Sequence, residues 1–250
     1  MTAEELYGSL KTRFAELLNE RGLVQEGVNI TCRALSPEEA IGQTKRRDFP
    51  ILTGKDIMIQ AECLGARGQA FTDAPAAFSG TLSDVVALDI VNDAHNRGLF
   101  IATLNAVTCA LGLCVGTVHC RTDGPEKCAR DMLAFLEQNY PDVGSITLVG
   151  YQPALLEMLA NSRYSVRVLD LNPGNIGKEC FGITVEDGVG AMNDAISSAD
   201  LILCTGSTLC NGTIVDYILP DKETLFFGIS AAGCASLLGL KRICFADRYS

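Results

Sequence analysis

At 250 residues, with 48% hydrophobic and 20% charged side chains, the chain can fill one large α/β domain or two small ones and is too apolar for a disordered or fibrous protein. Its formal net charge of -10 argues against a nucleic-acid partner, because phosphate binding needs clustered Lys and Arg. The nearest approach to such a cluster, Lys45-Arg46-Arg47, reads as a solvated turn. The nearest approach to a membrane span, Leu99 to Val118, is broken by Asn105, Gly112 and Gly116, so no uninterrupted apolar run reaches the ~20 residues a span needs and no membrane partner is expected. No basic and then hydrophobic signal segment opens the chain, and the expected location is cytoplasmic. The 11 cysteines are odd in number and many sit within apolar runs (Cys109, Cys204, Cys244), which reads as reduced thiols acting as small hydrophobes.

Leu6, Leu10, Phe14, Leu17 and Leu18 recur at helical spacing, predicting an amphipathic helix over residues 3 to 20 that stops at Gly22. Three strand-like segments follow, Val28 to Leu35, Ile57 to Leu64 and Gly68 to Thr72, the last two joined by the turn Gly65-Ala66-Arg67 in an antiparallel pattern. A polar stretch, Ser36 to Lys55, separates the first two strands and carries a short helical turn at Pro37 to Ala40. Helices are predicted over Leu82 to Asn92 and Leu99 to Val115. Strands followed by helices give an α+β first domain, residues 1–120.

Beyond the turn-rich segment His119 to Pro125 and the helix Glu126 to Asn139, the chain alternates. Strands are predicted at Ser145 to Val149, Ser165 to Leu169, Asp200 to Cys204, Thr224 to Ile229 and Arg242 to Ala246. Helices lie between them at Ala154 to Asn161, Gly190 to Ser198, Gly212 to Leu219 and Cys234 to Leu238. Such alternation implies a Rossmann-like domain, residues 121–250, built on a doubly wound parallel sheet covered on both faces. The whole is then α/β in class.

In a doubly wound sheet ligands sit beyond the carboxyl ends of strands. There the run Leu201 to Thr213 places Thr205, Gly206, Ser207 and Thr208 at a strand end, with Asn211 or Thr213 able to cap the helix that follows. The turn Gly150-Tyr151-Gln152-Pro153 lacks the further glycines of a dinucleotide fingerprint, so a diphosphate cofactor is disfavoured. Asp170 either accepts from a ribose diol or organises the Asn172-Pro173-Gly174 turn. Ser230 extends the same rim, and Asn105, a polar amide in an apolar helix, either holds a loop or touches ligand. Glu62 faces either a cleft or solvent. The cysteines offer no Cys-x-x-Cys pair, Cys109 and Cys114 would diverge by about 140° on a helix, and no metal site is expected; His119-Cys120, where a His adjoins a Cys, reads as solvated or structural, with a ligand pair as the alternative. His95 and His119 are the two histidines, and no Gly-x-Ser-x-Gly elbow is present.

Ile101-Ala102-Thr103-Leu104-Asn105-Ala106, the Val149-Gly150-Tyr151-Gln152-Pro153 turn and Thr205-Gly206-Ser207-Thr208-Leu209 followed by Asn211-Gly212-Thr213 together resemble the heavy-metal chelation family, long classed as a domain of unknown function. The resemblance covers nearly the whole chain. It implies an amino-terminal domain like that of enolase, then a Rossmann-like domain, with a site between the two. It also implies a ligand of pterin, flavin or siderophore type, condensed, hydrolysed or handled as a metal chelate, and it brings no established catalytic residue or cofactor. Gly228-Ile229-Ser230-Ala231 departs from the family's glycine and proline after the fourth strand of the alternating half. Two other readings stand beside this one: an S-adenosylmethionine-dependent methyltransferase resting on Gly150 and Asp170, and a metal carrier using His119, Cys120 and Cys128.

Overall fold

The computed structural model describes residues 1–24, 29–53 and 57–250. Val28 and Lys55, the ends of two expected segments, lie outside the described residues.

The first helix, α1 (Ala3–Glu20), starts where a capping box predicts it: Thr2 Oγ1 accepts from Glu5 N, and Glu5 Oε2 accepts from Thr2 N. Its buried face is Leu6, Leu10, Phe14 and Leu18. Four strands then form an antiparallel sheet: β1 (Asn29–Leu35), β2 (Ile57–Cys63), β3 (Ala66–Thr72) and β4 (Phe78–Thr81), in the order β3-β2-β1-β4. The short helix α2 (Pro37–Ile41) follows β1. After β4 come α3 (Leu82–Ala87) and α4 (Ala94–Ala110). The expected helix over 82–92 is shorter than its pattern, because the chain turns out of helical geometry at Leu88 (ψ 143°) and the Asp89 carboxylate caps the amides of Val91 and Asn92.

α4 lies directly on β3. A side-chain carbon at Gly68 would fall 2.2 Å from Ala106 N and 2.3 Å from the Ala102 carbonyl oxygen, so the close approach of strand and helix backbones depends on that glycine.

The alternating half runs α5 (Gly124–Asn139), β5 (Ser145–Val149), α6 (Pro153–Ala160), β6 (Ser165–Asp170), β7 (Glu179–Cys180), β8 (Ile183–Asp187), α7 (Met192–Ser198), β9 (Leu201–Thr205), α8 (Thr208–Asn211), β10 (Glu223–Phe227) and α9 (Ala232–Leu238). Its sheet order is β10-β9-β5-β6-β8-β7, parallel throughout except for the β7–β8 edge hairpin. The strand expected at Arg242 to Ala246 reduces to a single bridge, Phe226 with Arg242. There the Arg242 guanidinium turns away to the carbonyls of Val115, Gly116 and Gly228.

Alternation along the strands feeds two cores. Ile146, Leu148, Leu201, Leu203 and Leu225 pack with Met132 and Leu136 of α5 and Leu156 and Leu159 of α6. Val149, Ile202, Cys204 and Phe226 pack on the other face, in a cluster that also takes Leu6, Leu10 and Phe14 of α1, Phe100, Leu104 and Val107 of α4, and Ile59 and Ala70 of the first sheet. The two sheets therefore share one core through α1 and α4. All 11 cysteines are free thiols. Among the described residues no helix is long and apolar enough to cross a membrane.

Candidate functional site

The carboxyl ends of β5, β6 and β9 open on a cavity of about 440 Å³, and the first sheet supplies its opposite wall. Residues 71–73 at the end of β3, residues 49–51 and His119 come from the first half; residues 149–153, 169–175 and 205–217 carry most of the second.

Gly150 adopts φ +90°, and a side-chain carbon there would fall 2.5 Å from Thr205 Cγ2, so the β5 turn and the β9 turn meet with glycine on one side. Gly150 N donates to the Leu169 carbonyl, and Tyr151 N donates to Asp170 Oδ2 at 2.7 Å. Gln152 caps α6 by accepting from Leu155 N, and Pro153 occupies the first helical turn, where a missing N–H costs nothing. Asp170 Oδ1 takes Asn172 N at 2.7 Å, and Asn172 Oδ1 takes Gly174 N. Asp170 thus organises both turns; Oδ1 also takes Asn175 Nδ2, and Oδ2 keeps a lone pair for another donor.

At the end of β9, Thr205 Oγ1 and Ser207 Oγ lie 3.1 Å apart, and Thr208 Oγ1 donates to the Thr205 carbonyl. The helix begins at Thr208, earlier than the sequence suggests, and the residues expected to be helical further on form a 3-10 turn, Thr213–Tyr217. Asn211 joins the two pieces: its Oδ1 accepts from Thr213 N and Thr213 Oγ1. Behind this corner, Tyr7 Oη donates to the Leu209 carbonyl, and Arg97 stacks over the Tyr7 ring and donates to the Cys210 carbonyl. A cation at the carboxyl end of a short helix offsets its unpaired carbonyls.

Of the residues singled out in the sequence, Gly150, Tyr151, Pro153, Asp170, Thr205, Ser207, Thr208, Asn211 and Thr213 all line this cavity. Gly206 does not. Its amide donates to the Phe227 carbonyl, and a side-chain carbon would meet Ala231 N at 2.7 Å, so it is a packing glycine. Ser230 lines an adjoining chamber of about 90 Å³ and accepts from Phe71 N. Asn105 lies wholly inside the protein. Its Nδ2 donates to the carbonyls of Gln69, Ile229 and Ser230, and its Oδ1 accepts from Gly233 N, so it ties β3 to the loop after β10 and the start of α9 and does not line the cavity. Glu62 is exposed and accepts from Gln60 Nε2.

Phe71, Thr72 and Asp73, Phe49-Pro50-Ile51 and the aromatic ring of Tyr217 complete the wall without having been singled out. Their signal was the predicted end of β3 at Thr72, followed at once by a carboxylate. The basic triplet also differs from a solvated turn. Lys45 and Arg47 are exposed, but Arg46 pairs with Asp48 and with Glu157 of α6, and its guanidinium sits 5.7 Å from the Phe49 ring centroid and 5.8 Å from that of Phe181. It clasps the segment carrying Phe49 to Ile51 against the second half.

His119 lines both spaces. Its Nδ1 is 2.6 Å from the Cys120 carbonyl oxygen, which can only accept, so Nδ1 carries the proton and Nε2 is a free acceptor among the described residues. Burial lowers the imidazole's pKa, which favours the neutral ring. Burial likewise raises the pKa of Tyr151 and of Tyr217, so both hydroxyls stay protonated.

Cys120, Cys128 and Cys244 line the smaller chamber with His119. Contact with Cys120, reinforced by burial, pushes the Cys128 thiol up to about 12, and contact with Cys128 and burial raise Cys244 as well. Metal ligation requires thiolates. Among the described residues no group of three or more His, Cys, Asp or Glu is placed to hold a metal ion.

A model of the DUF364 family, described as "Putative heavy-metal chelation", matches residues 134–241. The resemblance read from the sequence holds. The matched stretch of this family runs from the end of α5 past α9 and so contains every cavity-lining turn of the second sheet. A crystal structure of a DUF364 protein of unknown function from Pyrococcus horikoshii aligns with a TM-score of 0.51 at 13% identity, over 90% of this chain and 80% of that one, which shows a shared fold. Another DUF364 protein of unknown function, from Desulfitobacterium hafniense DCB-2, gives 0.49 at 12% identity, over 73% of this chain and 72% of that one. No curated protein matches the chain.

Proposed function

We propose that the cleft between the two sheets binds a small polar or heteroaromatic molecule of the kind that chelates metal, such as a pterin, a flavin or a siderophore-like compound. One observation carries this reading: three strand-end turns from one sheet and the end of β3 from the other converge on a single cavity of about 440 Å³. Its walls combine apolar faces (Ile51, Phe71, Tyr151) with hydroxyl, amide and carboxylate groups, the mixture that orients a compact polar ligand. The family description concerns heavy-metal chelation, and in this chain the described residues offer no direct cluster for an ion. A chelator held in the cleft reconciles the two. His119, with its free Nε2, is the group that would take a proton during condensation or hydrolysis of such a molecule.

Gly150 and Asp170, the residues behind the methyltransferase reading, already have work in the fold, at the contact with Thr205 and in the Tyr151 and Asn172 turns. Titration calorimetry with a panel of pterins, flavins and chelators tests the proposal. Ser207→Ala and Asn211→Ala are expected to weaken every hit by several-fold while the protein stays folded. Hits bound equally well by both variants would overturn it.

A further inference from the structure

The polar groups of the cleft are unequal in what they can still do. Asp73, just past the end of β3, is exposed, and its carboxylate has no hydrogen-bond or ion-pair partner among the described residues. Asp170 keeps a lone pair on Oδ2 after accepting Tyr151 N, while Oδ1 is taken by Asn172 N and Asn175 Nδ2. His119 contributes a third unpartnered acceptor, Nε2. Among the described residues these two aspartates are the charged side chains of the wall, and no Lys or Arg lines it.

Several backbone donors of the strand-end turns are, by contrast, already engaged. Tyr151 N and Asn172 N go to Asp170, Gly174 N to Asn172, Leu155 N to Gln152 and Thr213 N to Asn211. Pro153, in the first turn of α6, has no N–H to give. A phosphate or a carboxylate entering here would face two negative charges with no Lys or Arg in the wall to offset them. A planar cation with several N–H groups would find carboxylates and an imidazole nitrogen to accept them, beside the rings of Phe49, Phe71 and Tyr151.

Building on the proposed cleft function, we infer that the ligand is a planar, nitrogen-rich, donor-bearing cation of the amidinium or guanidinium class, with Asp73 and Asp170 as its counter-charges. A chelator of this class carries its positive charge on ring or amidine nitrogens, or acquires it with its metal. Free catecholates and polycarboxylates are rejected by the same two aspartates.

Three bicyclic probes of nearly equal shape separate the possibilities: protonated 2-aminobenzimidazole, neutral benzimidazolone and anionic benzimidazole-2-carboxylate. Calorimetry on the whole chain is expected to rank the cation at least about tenfold above the anion, with affinity falling as salt rises. Asp73→Asn is expected to weaken the cation about tenfold and leave benzimidazolone unchanged. Asp73 is exposed and unpartnered, so a melting curve superimposable on the parent's will confirm that the variant folds. Equal binding of cation and anion, or an unchanged cation affinity in Asp73→Asn, overturns the charge assignment and leaves the cleft reading standing. No binding of any probe at millimolar concentration overturns the cleft reading itself.

Discussion

Asn105 and Asn211 are the same residue in opposite circumstances. The first is fully buried in α4 and spends both ends of its amide on four backbone groups, one in β3 and three in the loop after β10 and the start of α9. The second is exposed at the cavity, uses Oδ1 to shape its own turn and keeps Nδ2 without a partner among the described residues. A buried amide must be satisfied by the fold, whereas one at a strand end can leave capacity for something that arrives later.

The largest expected effect breaks the buried member of the pair. Asn105→Leu strands Gly233 N and removes the donors to the carbonyls of Gln69, Ile229 and Ser230, a loss of about 3 kcal/mol or more in chemical denaturation. Asn211→Ala is expected to cost less than about 1 kcal/mol. Similar losses for the two would show that the contrast drawn here is wrong.

Next in size is the contact between turns. Gly150→Ala adds a carbon 2.5 Å from Thr205 Cγ2 at a backbone φ of +90°, and is expected to cost about 2 kcal/mol. Thr205→Ser removes the offending methyl, so the double variant should recover part of the loss and retain the backbone share. No recovery would mean that the strain lies wholly in the dihedral.

The smallest effect is on pH dependence. Burial holds the His119 imidazole below its ordinary value of 6.5, so the unfolded chain takes up a proton there before the folded one does. Stability from this source is complete above about 6.5 and is lost as pH falls through the interval down to the lowered folded value. Denaturant midpoints compared between the parent and His119→Gln over that interval isolate it from the carboxylates. Parallel curves for the two proteins would remove the claim.

Much of this architecture could be read from residue patterns, for identifiable reasons. Short, mostly apolar strands such as Ile146 to Val149 and Leu201 to Cys204 are buried on both faces and announce a parallel sheet. β8, Ile183 to Asp187, mixes buried Val185 with half-buried and exposed neighbours near the sheet edge and gives no such run. The strand-end turns at 150–153 and 205–213 were visible because glycine, proline and hydroxyl residues there follow a buried strand directly. The opposite wall was not visible. Phe71 to Asp73 reach the cavity because α4 seats on β3 at Gly68, a backbone contact that no local pattern records. Arg46 looked like one of three solvated charges until Glu157, far along the chain, supplied its partner.

The Asn105 amide ties one helix at once to β3 and to the loop after β10. The two walls of the cavity are consequently joined through one buried amide, a link that neither wall makes alone. A ligand of the proposed kind would meet walls already tied together, with that much less ordering to be offset on binding.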